Sequence, residues 1–179
     1  MRFSVRSINT GKASDCSVVE IGNVMGKVTA TVNLAVRKRG RTTGLTYGTV
    51  VSTDATVNID YGDGLGTHVL KNQIRVDVDT SKSVKFSDRG DSGLVVVEQN
   101  NKVVGLLFAG NDVPSNPALS GTVAYVNPIQ FVLDELNVDL CTKPVGKGFS
   151  DTGSSRAVIL RVQPRLLLNR HEMIGVPDF

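Results

Sequence analysis

The chain has 179 residues, of which 40% are hydrophobic and 21% are charged, and its formal net charge is +3. These values are typical of one soluble globular domain and exclude a disordered chain. Aromatic residues make up only 5% and tryptophan is absent, whereas there are 18 glycines. Such a composition favours many short strands joined by tight turns, as in a β-barrel.

Short runs with strand character follow one another between residues 16 and 126. They cover residues 16–21, 27–36, 45–52, 56–60, 68–78, 84–86, 94–98, 103–109 and 122–126. Apolar and polar residues alternate strictly over residues 73–78, which predicts a strand with one buried face and one wet face. The glycine-rich connection at residues 61–66 predicts a hairpin loop. The series predicts an all-β fold, an antiparallel barrel or sandwich.

One helix is predicted near residues 128–137. Asn127 is a good N-cap and Pro128 suits the first helical position. Four apolar residues then fall on one helical face, namely Ile129, Val132, Leu133 and Leu136. We expect this face to pack on the sheet. The predicted organisation is an N-terminal lead-in at 1–15, the strands and closing helix at 16–141, and a linker with a C-terminal extension at 142–179.

Charge and cysteine patterns narrow the functional classes. The basic cluster Arg37, Lys38, Arg39 and Arg41 falls between two strand-like runs without aromatic residues for base stacking, so we expect a solvated turn and no nucleic-acid partner. Cys16 and Cys141 lack metal spacing and are too few for a disulfide framework, which favours two buried free thiols. Residues 1–15 contain no apolar stretch typical of a secretory signal or a membrane span. An intracellular chain without a membrane partner is favoured.

The segment Gly90-Asp91-Ser92-Gly93, with apolar runs on both sides, carries the functional signal. A serine hydroxyl is a poor nucleophile until a base takes its proton. A glycine two residues upstream lets the backbone turn so that the N–H groups of Gly90 and Ser92 converge on one point. Such donors stabilise the oxyanion of an acyl-transfer intermediate, each by about 3–4 kcal/mol. An ordinary polar turn is the alternative for these four residues.

Flanking segments make the motif more specific. Residues 94–97 and 103–110 predict a hairpin after it, and Gly40-Arg41-Thr42-Thr43-Gly44 with Gly48-Thr49-Val50 precedes it. In this order the segments resemble the trypsin-like (chymotrypsin-fold) serine peptidases, in the bacterial branch related to alpha-lytic protease. The resemblance covers roughly residues 16–140. It implies the second, six-stranded barrel of that fold, closed by the helix that starts at Asn127-Pro128.

The resemblance also implies roles for individual residues. Ser92 occupies the nucleophile position, Gly90 and Ser92 form the oxyanion hole, and Asp91 is a structural carboxylate that braces the loop. A strand made of Phe108, Ala109 and Gly110 lines the substrate cleft, where Gly110 leaves room for a side chain. No metal or organic cofactor is implied, because the chemistry needs only a base and oxyanion donors.

The base is the missing part of the pattern. In this family the triad histidine and aspartate precede the serine and lie on a first barrel. The two histidines here, His68 and His171, do not match the base motif, although His68 is the first candidate for an unrecognised base. We therefore expect a serine endopeptidase scaffold that is inactive alone and acts on a peptide or protein only when completed. The alternative is a non-catalytic interaction module, or a fragment completed by a first barrel on another chain or by self-association.

Overall fold

Strands make up about half of the residues that the computed structural model describes, which are residues 16–60 and 66–142 and the strand Ala157–Val158. The strands are β1 Ser17–Val18, β2 Gly22–Asn23, β3 Gly26–Lys27, β4 Ala35–Gly40, β5 Gly44–Asp60, β6 Thr67–Val78, β7 Val95–Glu98, β8 Lys102–Gly110, β9 Val123–Pro128, β10 Asp139–Leu140 and β11 Ala157–Val158. The single α-helix of the described residues, α1, covers Ile129–Leu136, and a 3-10 turn covers Pro117–Leu119. The predicted lead-in, most of the glycine-rich connection, the predicted linker and His171 lie outside the described residues.

Six strands close into a ring. Their order is β8-β7-β4-β5-β6-β9, and β9 pairs back with β8, so that every neighbouring pair in the ring is antiparallel. The short strand β3 lies parallel to β8 outside the ring. The prediction of an all-β antiparallel fold with one closing helix is confirmed. The division into segments 1–15, 16–141 and 142–179 stays a prediction.

Alternating side chains build the core inside the ring. On β6, Ile74 and Val76 point inward and are fully buried, whereas Arg75 and Asp77 point outward and form an ion pair with a 2.9 Å separation. Phe86 is also fully buried in this core. The alternation over residues 74–77 therefore corresponds to one buried and one wet face, as predicted. Gln73, which the alternation placed on the wet face, is buried instead.

The helix packs on the outside of the ring through the predicted stripe. Ile129, Val132 and Leu133 are buried in a second apolar cluster that includes Leu106 of β8. The prediction that Asn127 caps the helix is wrong, because Asn127 pairs with Leu106 as part of β9 and stays extended. Pro128 occupies the cap position instead. No helix of the described residues is long and apolar enough to cross a membrane.

Several predicted strand boundaries differ from the structure. The predicted run 16–21 forms only the short strand β1, and residues 19–21 are a turn. The runs 45–52 and 56–60 form the single strand β5, whose pairing with β6 shifts register near Ser52 and Ala55 and so accommodates the polar break. Residues 84–86 do not form a strand, and the N–H of Phe86 donates instead to the carbonyl of Gly121. The predicted strand at 27–36 is not continuous, and β4 begins only at Ala35. Arg37, Lys38 and Arg39 of the basic cluster therefore lie on a strand and not in a turn.

The two cysteines are bonded to each other, so the prediction of free thiols is wrong. The Cys16–Cys141 disulfide links two residues that are 125 positions apart in the sequence and whose Cα atoms lie 5.6 Å apart. It ties the chain before β1 to the chain after β10. The fold brings these two positions together, and two isolated cysteines in a sequence carry no sign of such a long-range approach.

Candidate active site

The loop that carries Ser92, residues 87–93, presents two free backbone donors. The N–H of Asp91 donates to the carbonyl of Asp88 (3.1 Å), and the N–H of Gly93 donates to the carbonyl of Leu107 (2.6 Å). The N–H groups of the residues just before these two, Gly90 and Ser92, donate to no described residue. Gly90 adopts φ +98°, a conformation that glycine reaches without strain. The loop therefore holds its alternate N–H groups and leaves two available to a ligand.

Asp91 anchors this loop from below. Its carboxylate is fully buried and accepts hydrogen bonds from Lys38 Nζ (2.9 Å), Thr42 N (2.9 Å), Thr43 Oγ1 (2.6 Å) and Asp88 N (3.2 Å). Three of these donors belong to β4 and to the turn between β4 and β5. Asp91 thus acts as the bracing carboxylate that the resemblance implied, and it fixes the Ser92 loop to the β4–β5 hairpin.

Lys38 lies inside the protein and not on a solvated turn, so the sequence interpretation of this residue is wrong. Its side chain is fully buried, pairs with Asp91, contacts the Thr43 hydroxyl and lies 5.9 Å from the centre of the Phe86 ring. The signal for this placement was the strand period, because Val36, Lys38 and Gly40 share the inner face of β4 while Arg37 and Arg39 share the other face.

The buried pair has opposed effects on its two pKa values. Burial lowers the pKa of Lys38 by more than the hydrogen bond and the charge of Asp91 raise it. Burial also raises the pKa of Asp91, but hydrogen bonds from Thr43, Lys38 and Thr42 together bring it below its ordinary value. The carboxylate form of Asp91 is therefore held by its donors, and that form is the one that accepts all of them.

Gly40 allows the ion pair to pack directly against the backbone. A Cβ atom at this position would lie 2.5 Å from Asp91 Oδ1 and 2.6 Å from Lys38 Nζ. Both atoms belong to the buried pair, and neither can move away without breaking it. Glycine at position 40 is therefore a requirement of the brace under the Ser92 loop.

Ser92 lies at the edge of a cavity of about 290 Å³. Its hydroxyl is 3.4 Å from the carbonyl oxygen of Phe108, a long contact for a hydrogen bond. Ala109 and Gly110 line the cavity, whereas the Phe108 side chain is buried and only its carbonyl faces Ser92. The cavity is lined by Ser87, Asp88, Arg89, Ser92, Leu107, Ala109, Gly110, Asn111, Asp112, Ser120 and Gly121.

Charges around this cavity are already paired with one another. Arg89 Nη2 lies 2.9 Å from Asp112 Oδ2, and Lys85 Nζ lies 3.1 Å from Asp88 Oδ2. The Arg89–Asp112 pair is exposed and the Lys85–Asp88 pair is partly exposed, and such pairs near the surface are individually weak. The hydroxyl of Ser87, another lining residue, donates to no described residue although Ser87 is buried.

Comparisons with known proteins rest on structure. No protein-family model matches the sequence, and no curated protein matches it. The crystal structure of Cellulomonas bogoriensis chymotrypsin aligns with a TM-score of 0.51 and 26% identity, over 67% of this chain and 56% of that chain. The described residues have the fold of part of a chymotrypsin-fold serine protease.

Two further solved structures support this assignment of the chymotrypsin fold. Thermobifida fusca Protease A aligns with a TM-score of 0.51 and 24% identity, over 67% of this chain and 55% of that chain. A glutamic acid specific serine protease aligns with a TM-score of 0.53 and 23% identity, over 72% of this chain and 62% of that chain. The chain therefore spans less than two thirds of the length of each of these proteins. The predicted resemblance to bacterial chymotrypsin-fold serine proteases is confirmed.

The described part of this chymotrypsin-fold chain brings no histidine to Ser92. None of the described residues that line the cavity is a histidine. His68 lies on β6 opposite Ile59 of β5, beyond the part of β6 that pairs with β9. No group of three metal-binding side chains occurs among residues 16–60 and 66–142. The structure thus joins the donors, the hydroxyl and the cavity, but it does not add His68 to them.

Proposed function

We propose that the chain is the nucleophile-bearing part of a serine endopeptidase, with Ser92 as the nucleophile. The observation that carries the proposal is that the N–H groups of Gly90 and Ser92 have no partner among the described residues and belong to a loop that the buried Asp91 braces. In the proposed reaction Ser92 Oγ attacks a peptide carbonyl carbon and the carbonyl oxygen gains negative charge. The N–H groups of Gly90 and Ser92 donate to that oxygen, and an acyl-enzyme forms on Ser92 when the amine leaves.

The cavity and the end of β8 are suited to hold the acyl part of the substrate. The ladder between β7 and β8 ends at the pair Val95 and Leu106, so residues 108–110 extend past β7 along the cavity. An extended peptide can pair its backbone with such a strand edge, while one of its side chains enters the cavity. Phe108 would contribute its carbonyl, and Ala109 and Gly110 would line the cleft.

A base is the remaining requirement. Among described residues, the Ser92 hydroxyl contacts only the Phe108 carbonyl, which cannot take its proton. The proposal therefore assigns the general base to a histidine outside the described residues, supplied by another part of the protein or by a separate chain. Oxyanion donors and binding alone give only about 10³ to 10⁴-fold acceleration over water. We expect no measurable amide hydrolysis by this chain alone.

Chemical rescue tests this proposal directly. The purified chain is incubated with a fluorophosphonate probe and increasing imidazole, which serves as a diffusible base, and the modified residue is found by peptide mass spectrometry. Phosphonylation of Ser92 should rise with imidazole and vanish in Ser92→Ala, while the remote control Ser81→Ala should react as the unmodified chain does. Absence of rescue, or equal labelling of other serines, would contradict Ser92 as the nucleophile. Labelling without imidazole would show that the chain contains a base, and His68→Ala would then be the next variant.

A non-catalytic interaction module is the second candidate. The observation that favours it is the absence of a proton acceptor other than the Phe108 carbonyl next to the Ser92 hydroxyl among the described residues. In that case the cavity and the β8 edge would hold a peptide without cleaving it. Peptide binding that persists in the unmodified chain, together with a failure of imidazole rescue, would favour this function over the peptidase.

A further inference from the structure

Arg41 lies beside one of the two oxyanion donors. It occupies the turn between β4 and β5, and its Nη2 and Cζ atoms are 2.7 Å and 3.5 Å from the position that a Cβ atom on Gly90 would take. Because the Cα–Cβ and N–Cα bonds are each about 1.5 Å long, the guanidinium lies within about 6 Å of the Gly90 nitrogen. A positive charge therefore stands next to the point where the peptide carbonyl would bind.

This guanidinium has no partner among the described residues. Arg41 is exposed and makes no hydrogen bond or ion pair with them. Nearby arginines differ, since Arg37 donates to Asn101 Oδ1 (2.7 Å), Arg39 pairs with Glu20, and Arg89 pairs with Asp112. The backbone that carries Arg41 is nevertheless held, because the next residue, Thr42, donates its N–H to Asp91. An anchored turn thus presents a cation without a carboxylate.

The position of Arg41 relative to the cavity assigns it to one side of the substrate. The cavity is lined by residues 87–89, 109–112 and 120–121 together with Ser92 and Leu107, and by neither Gly90 nor Arg41. If the side chain of the residue before the scissile bond fills this cavity, the leaving amine and the residues that follow it must extend from the carbonyl carbon away from the cavity. We call this direction the leaving side. Because Gly90 and Arg41 do not line the cavity, they remain available to the residues that run along the leaving side.

We infer that Arg41 binds a carboxylate on the leaving side, so that this site selects peptides with an acidic residue shortly after the scissile bond. The inference rests on the proposed function of Ser92. Arg41 acts here as a specificity-determining residue, since its guanidinium would pair with the substrate carboxylate in bidentate fashion. Because the pair is exposed and screened by salt, the preference for Glu over Gln should be about three- to tenfold at low salt.

Peptide binding measures this preference without requiring catalysis. The full chain with Ser92→Ala is titrated into fluorescein-labelled peptides of six residues, which share one leucine for the cavity, are otherwise alanine, and carry Glu, Gln or Lys two positions after the leucine. Fluorescence anisotropy gives the affinities at two salt concentrations. The same titrations use Arg41→Gln, the charge-conserving Arg41→Lys, and Arg39→Gln as a matched control on the same hairpin.

The expected order of affinity is Glu above Gln above Lys, with differences that shrink as salt increases. Arg41→Gln should make the three affinities equal, Arg41→Lys should keep part of the preference, and Arg39→Gln should keep all of it. Equal binding of the Glu and Gln peptides to the parent protein, or a preference that survives Arg41→Gln, would overturn the inference alone. If none of the peptides binds, the proposed substrate cleft fails, and the inference fails with it.

Discussion

Removal of the Lys38 charge should destabilise the fold substantially. Lys38→Met keeps most of the aliphatic length next to Phe86 and deletes one of the four hydrogen-bond donors to Asp91, which is fully buried. Breaking a buried ion pair by removing one partner costs about 3–5 kcal/mol, because a charge is left without compensation. Three donors to Asp91 remain, so we expect a loss of unfolding free energy at the lower end of this range, about 3 kcal/mol. For a domain of this size that loss lowers Tm by about 10 °C.

Urea denaturation of the unmodified and variant proteins at pH 7 measures this free energy of unfolding. The matched control is Arg75→Met, which breaks an ion pair whose side chains are 42% and 39% exposed, and it should cost less than about 1 kcal/mol. The double variant Lys38→Met with Asp91→Asn should lose less stability than the sum of its two single variants, because the two residues interact directly. The reasoning is refuted if Lys38→Met costs no more than Arg75→Met, or if the two single losses simply add.

Four further predictions use the same denaturation assay. The hydrogen bonds to Asp91 lower its pKa in the folded state, so Asp91 contributes stability above its unfolded pKa of about 3.9 and loses this contribution as the pH falls through the lower folded pKa. The difference in unfolding free energy between the parent chain and Asp91→Asn should therefore narrow below about pH 4. A difference that stays constant from about pH 7 to pH 2 would contradict this. Replacing both Cys16 and Cys141 with serine should cost about 2–5 kcal/mol, and a reductant should lower the stability of the parent chain but not of the double variant. Gly40→Ala should cost about 1–3 kcal/mol, since the added methyl group collides with the buried pair, and an unchanged midpoint would show that the brace yields easily. Ser92→Ala should change stability by less than about 0.5 kcal/mol, because its hydroxyl makes only the 3.4 Å contact, and a larger loss would reveal a structural role.

Local patterns predicted the elements whose stabilising contacts lie nearby in the chain. The stripe of Ile129, Val132 and Leu133 identified the helix because helical period alone places these residues on one face. Its first residue was misjudged because Asn127 is held by pairing with Leu106, a partner that helix-capping rules do not consider. The bracing role of Asp91 followed from family resemblance and not from any local signal.

Long-range contacts account for the errors. Lys38 was assigned to a solvated turn because a run of basic residues is usually exposed, and its burial depends on Asp91, which lies 53 positions further along the chain. Residues 45–52 and 56–60 were predicted as two strands, yet shifts of register let β5 continue from one run into the other. The contact between Arg41 and Gly90 could not be read from the sequence either, since it depends on how the β4–β5 turn sits against the Ser92 loop.

The cation that neutralises Asp91 comes from within the same sheet. Lys38 is an internal side chain of β4, and Thr42 and Thr43 belong to the same hairpin, so the partners of Asp91 are present as soon as this sheet folds. No newly cut chain terminus is needed to supply the positive charge. The Ser92 loop is therefore held by contacts within the described part of the chain.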